Sequence, residues 1–333
     1  MKNPFKNQQG QVRWGYKFFS LILIWDMVIP VIILAAALAF SLALRILLMN
    51  MGIMDVDGSL MEEYMVQADN WYMVIMMCIQ NLVVIFLPFV LWKWVYHSSW
   101  KNLGIHGKGW LKDLGKGLLL GAVMITLVAA GICLTGNASM SFGKTGFDPW
   151  LIGYLVMFIS VGFGEEIFFR GYAMDAMRQA RPGWLALILP ALLFGIAHST
   201  NSNFSLLGFI NICLVGIFLG LLFWYTGQLW IPIGFHIAWN YFQGPVYGFE
   251  VSGINTPHMF TTAIGKANLL NGGLFGPEGG LFTTLVTLTA IGCVLWHYRG
   301  KKGKFLMNDT YSLCSRLCCI FEAYFFAVKI HLS

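Results

Sequence analysis

Apolar runs of about twenty residues recur along this chain, and they leave it few ways to fold. A helix needs about 20 mostly apolar residues to cross a bilayer, and lipid tolerates only structures whose backbone hydrogen bonds close internally. Windows of that kind lie at roughly residues 18–45, 72–92, 115–135, 150–170, 184–200, 205–226, 229–247 and 281–298. The chain is 58% hydrophobic and 11% charged, with a mean hydropathy of +0.69, outside the range of a soluble domain. The expected fold is all-α, a polytopic transmembrane helix bundle of about eight spans. The first window is too long for a cleaved signal peptide and is interrupted by Asp26 and Arg45. It reads as a retained helix bent near Pro30.

The basic residues fix an expected orientation, because loops kept in the cytoplasm carry the excess of Lys and Arg. Lys2, Lys6, Arg13 and Lys17 precede the first window, and Lys93, Lys101, Lys108, Lys112 and Lys116 lie between the second and third. Arg178 and Arg181 follow the fourth, and Arg299, Lys301, Lys302 and Lys304 follow the eighth. The first of the alternate loops is acidic, with Asp55, Asp57, Glu62, Glu63 and Asp69. Both termini are therefore expected in the cytoplasm. The net charge of +6 is spread over these edges, which speaks for contact with anionic lipid and against a nucleic-acid partner. The seven cysteines show neither metal-ligand spacing nor a pair suited to a disulfide.

Four regions are expected: N-terminal helices and loops over 1–149, a core over 150–247, an external loop and last helix over 248–304, and a tail over 305–333. The absence of an internal repeat weighs against a transporter made of two related halves. The loop at 248–280 is rich in Gly and Asn and is expected to re-enter the membrane in part. The tail mixes apolar and basic residues, as an interfacial amphipathic helix does, with Cys314 and Cys318 on one face.

Charged side chains inside a bilayer cost several kcal/mol each and ask for a partner or a purpose. Glu165, Glu166 and Arg170 fall within one and a half helical turns. Glu166 and Arg170 are spaced i, i+4 and can pair, whereas Glu165 lies about 100° around the axis and is left without a local counter-ion. If this helix continues to Arg178, Glu165 lies about 20 Å below its end. The turn at Arg181, Pro182 and Gly183 sends the next helix back, and His198 then comes to nearly the same depth as Glu165. A third helix carries His236 and Asn240, again at i, i+4 on one face. The alternative for each is structural: glutamates at a wetted helix end, a satisfied core histidine, or an interhelical hydrogen bond acting as glue.

A zincin H-E-x-x-H pattern is absent. If a metal such as zinc binds, the ligand set is Glu165, His198 and His236 from three helices. The metal-free alternative uses Glu165 as general base, with His198 holding the attacked water. His236 and Asn240 would then steady the oxyanion. No cofactor is otherwise required.

Glu165-Glu166-x-x-x-Arg170, Phe194-x-x-x-His198 and His236-x-x-x-Asn240, in that order on successive helices, resemble the CPBP intramembrane proteases. That family comprises type II CAAX prenyl endopeptidases and bacterial bacteriocin-processing and immunity (Abi) proteins. The resemblance covers about residues 150–245. It implies a membrane-embedded endopeptidase of peptide or membrane-protein substrates, with Glu165 and His198 acting on water, His236 and Asn240 at the oxyanion, and Glu166 with Arg170 as a supporting ion pair. A bacterial plasma membrane is the expected setting. Two other readings stay open: a non-catalytic immunity or scaffold protein that binds a partner through the same cluster, and a transporter with Glu165 as proton site.

Overall fold

Helices make up most of the computed structural model, which describes residues 5–6, 12–52, 62–97, 100–142, 148–178, 180, 183–301 and 303–304. Among these residues the helices form eight rods that follow the eight apolar windows. The first joins α1 (Trp14–Leu23) to α2 (Ile29–Asn50) through a π-helical stretch, Ile24–Val28. Pro30 is the second residue of α2, directly after the π-helical stretch, and it lacks the N–H that would bond back into that stretch. Next come α3 (Glu62–Val90) and α4 (Trp110–Leu134). Helix α5 (Trp150–Glu166) passes through π-helical Ile167–Ala173 into the short α6 (Met174–Ala176). Then follow α7 (Leu185–Ala197), α8 (Leu206–Thr226), α9 (Trp230–Tyr241) and α10 (Leu281–His297).

Five stretches are long and apolar enough to cross a membrane: Trp14–Leu47, Asn70–Val95, Trp110–Leu134, Trp150–Ala176 and Leu206–Thr226. Helices α7 and α10 are apolar but shorter, and α9 has 12 residues before its π-helical extension Phe242–Val246. The chain is a multi-pass helix bundle. Side chains outside its core are apolar along the outer faces, as at Leu34, Leu38 and Leu42 of α2, where lipid replaces water as solvent.

The bundle is not purely helical. A two-stranded antiparallel sheet pairs β1 (Ala138–Phe142) with β2 (Phe260–Ile264), in register from Ala138 opposite Ile264 to Phe142 opposite Phe260. Strands of five residues escape a search for apolar windows of twenty. The loop at 248–280 that contains β2 is a folded cap. Asn268 and Asn271 close its turns through side-chain bonds to the backbone, and Asn211 of α8 donates to the carbonyls of Glu278 and Gly280. The expected tail helix, with Cys314 and Cys318, and Arg181 and Pro182 of the α6–α7 turn lie outside the described residues.

Two contacts hold the helices that carry the polar cluster. Helix α9 crosses α4 at backbone distance: a Cβ on Gly121 would strike the carbonyl of Phe235, and one on Gly234 the carbonyl of Leu114. Small residues at such crossings let apolar helices gain van der Waals contact that lipid would otherwise match. Gly234 therefore marks a close approach between helices, within a short α9 that begins at Trp230. On the other side, α3 grips the π-helical stretch. Tyr172 donates to the Ile85 carbonyl at 2.8 Å, Trp92 Nε1 to Asp175 Oδ2 at 2.8 Å, and Arg178 pairs with Asp175 Oδ1 at 3.0 Å.

Replacing Gly121 by Val should cost about 1–3 kcal/mol through overpacking at a rigid backbone contact. The apparent melting temperature of the purified protein should fall clearly. Gly115→Ala, where an added methyl meets open space, should leave it unchanged or slightly raised.

Candidate active site

The π-helical stretch begins directly after Glu166. A π-turn widens the helix by one residue and changes the angle between successive side chains, a device common where function needs a particular projection. Glu166 and Arg170 straddle this change and pair at 2.8 Å with side-chain exposures of 0% and 2%. Both side chains lose their hydration on burial, so the pair holds only where Coulomb attraction in a low-dielectric interior and good hydrogen-bond geometry together offset that cost. The Arg170 guanidinium carbon lies 4.4 Å from the centre of the Phe194 ring, which adds a cation–π contact.

Glu166 has a second partner. Its Oε1 atom also receives His236 Nδ1 at 2.8 Å. A carboxylate paired with arginine accepts, so the shared proton sits on Nδ1 of His236, and in the neutral ring Nε2 carries a lone pair. The same logic fixes His198. Helix α7 ends at Ala197, and the imidazole of His198 turns back so that Nδ1 donates to the Phe194 carbonyl at 2.8 Å. Its Nε2 is then also a lone-pair nitrogen. Besides Arg170, the Phe194 ring lies edge-on to His198 at 4.7 Å between centroids and to His236 at 6.1 Å.

Both free nitrogens face Glu165. Its Oε2 atom is 3.8 Å from His198 Nε2 and 3.6 Å from His236 Nε2, and it is buried with no hydrogen-bond partner. Three acceptors therefore surround one gap, each too far from the others for a direct hydrogen bond. What the gap requires is a donor. The level placement of Glu165 and His198 expected from the antiparallel turn is present, as is the Glu166–Arg170 pair. Asn240, buried on α9, lines the same cavity.

Glu165 with two imidazoles has the composition of a two-histidine, one-carboxylate zinc site, and each ring's other nitrogen is oriented as such a site needs. Among the described residues, however, no group of three such donors is drawn together closely enough to hold an ion.

The site opens into a cavity of about 630 Å³. One wall is apolar, built from Ile29, Ile33, Leu34 and Ala37 along one face of α2, with Met77 and Val161 opposite. The other end is polar, with Asn211, Ser252, Glu278 and Thr283. Sequence reasoning missed these. Asn211 carried a visible signal, a polar residue inside an apolar window; Ser252 and Glu278 carried none, because the path of the cap alone brings them to the cavity.

Residues 147–242, which span every one of these motif residues, match the family model for the type II CAAX prenyl endopeptidase Rce1-like proteins. That stretch of the helical core is similar to this family. No curated protein matches the chain. The Rce1-like segment begins just before α5 and ends at the last turn of α9, so it takes in all three motifs and α8 between them, while α1 to α4, the cap and α10 lie outside it.

Arg170→Met should destabilise the protein by about 3–5 kcal/mol, since it strands Glu166 as a buried, partly compensated charge. Adding Glu166→Gln should recover a large part of that loss. Thermal unfolding of the two variants in one detergent checks both.

Proposed function

We propose that the chain is an intramembrane endopeptidase that hydrolyses a peptide bond with a water activated by Glu165. The observation that carries the reading is the gap between Glu165 Oε2 and the two imidazole Nε2 atoms. A water there donates its two protons into a ring of three acceptors, which polarises its oxygen toward a substrate carbonyl. Glu165 takes one proton as the water oxygen bonds to the carbonyl carbon. The negative charge that moves onto the carbonyl oxygen is met by the Asn240 carboxamide, a donor with no other hydrogen bond among the described residues. Glu165 then delivers its proton to the amide nitrogen, and the C–N bond breaks. His198 holds the water throughout. His236, with Nδ1 committed to Glu166, offers an acceptor to the water and becomes an oxyanion donor only on taking up a proton at Nε2.

The similarity of residues 147–242 to the Rce1-like endopeptidases supports the reaction class. The supporting pair Glu166–Arg170 acts through His236, whose ring plane and tautomer it sets. We further propose that all eight rods cross the membrane with both termini in the cytoplasm, as the basic edges require. The substrate is a peptide or membrane-protein segment that reaches the site from the bilayer.

Glu165→Gln keeps shape but removes the base, so turnover should fall by at least a factor of about 100 while the protein stays folded. Retention of full peptide cleavage in that variant contradicts the mechanism. Exhaustive chelation of the purified protein should leave cleavage intact; loss of activity restored by zinc alone would assign the three donors to a metal instead.

A further inference from the structure

The cavity that holds the proposed water contains a second carboxylate, and its lining includes no lysine or arginine. In a chain of net charge +6 that is an uneven distribution. Glu165 from α5 and Glu278 from the cap both line it.

Glu278 is held firmly. Its Oε2 atom accepts both the backbone N–H of Ser252 at 2.8 Å and the Ser252 hydroxyl at 2.5 Å. Ser252 lies in the left-handed region with φ +47°, a conformation that non-glycine residues adopt at a cost and keep only when neighbours enforce it. The enforcement here comes from Glu278 itself and from the Val251–Ile254 bridge that closes the turn. The turn fixes one carboxylate oxygen and leaves the charge facing the cavity. Among the described residues no cationic group pairs with Glu278.

A glutamine would satisfy the Ser252 N–H equally well. A half-buried carboxylate among neutral polar groups loses hydration without a local counter-charge, an arrangement that becomes more favourable when an occupant brings one. Resting on the reading of this cavity as the path of a peptide substrate, we infer that Glu278 is a specificity-determining residue that binds a cationic group of the substrate. The ligand chemistry is an ammonium or guanidinium, from a lysine or arginine side chain or from a free N-terminus, on a segment whose neighbouring side chains are apolar. Those side chains fit the α2 wall of Ile29, Ile33 and Leu34, while the cation reaches the cap. A carboxylate already fixed by the turn loses little freedom on binding, so it discriminates by charge without reorganising.

Binding of dye-labelled peptides to the full chain in lipid nanodiscs tests this apart from catalysis, with Glu165→Gln as the background to prevent turnover. Three apolar peptides differ only in charge: one acetylated with an internal Lys, one with a free N-terminus and no Lys, and one acetylated with Gln in place of Lys. At least one cationic peptide should bind about tenfold or more tightly than the neutral one, and which of the two does so identifies the source of the cation. Adding Glu278→Gln should bring that ratio close to one. Glu278→Lys should invert it in favour of a Glu-bearing peptide. Ser252→Gly, which relieves the left-handed strain and keeps the carboxylate, should retain the preference, whereas a turn anchor without a binding role would show no charge preference to lose. An unchanged ratio in Glu278→Gln, or no preference in the parent, overturns the inference. Preferential binding of a cationic peptide that the wild-type chain fails to cleave would uphold the inference and remove the endopeptidase reading instead.

Discussion

The site depends on one oxygen atom. Glu166 Oε1 receives both Arg170 and His236 at 2.8 Å, and this shared acceptor ties α5, its π-helical continuation and α9 into one unit. Neither side chain of the ion pair reaches solvent, and replacing them with hydrocarbon would be no worse for folding alone. What the charges supply is direction. Arg170 and His236 both donate to Glu166 Oε1, so the shared His236 proton sits on Nδ1 and, in the neutral ring, Nε2 is bare toward Glu165.

Glu165 is the complement of that arrangement. Its neighbour in sequence absorbs the available cation, so its own Oε2 faces two lone-pair nitrogens with nothing between. Such a meeting of acceptors is unstable as a closed core and stable around a donor. The α9–α4 crossing at Gly121 and Gly234 and the clamp of α3 on Tyr172 and Asp175 hold the three helices rigidly enough for the gap to persist. Placing reactive groups on rigid elements is what lets small distances carry chemistry.

Much of this was legible in the sequence, and the reason is periodicity. Apolar windows mark rods, i, i+4 spacing pairs Glu166 with Arg170 and aligns His236 with Asn240, and counting residues from a turn levels Glu165 with His198. Contacts without a period were not legible. The bond from His236 to Glu166 joins residues 70 positions apart, and no local rule distinguishes it from an oxyanion donor facing the other way. The five-residue strands and the approach of Glu278 to Ser252 depend likewise on how the cap is routed. The close approach at Gly234 likewise depends on the facing backbone of α4, which no local pattern reveals.

The tautomers of two histidines test the central claim most directly. In protein with 15N-labelled histidine, reconstituted in bilayers and assigned by single substitutions, His198 and His236 should each carry the proton on Nδ1 and show an unprotonated Nε2 near neutral pH. A proton on Nε2 of the neutral ring of either one would mean that it already donates toward Glu165, and the three-acceptor gap on which the mechanism rests would not exist.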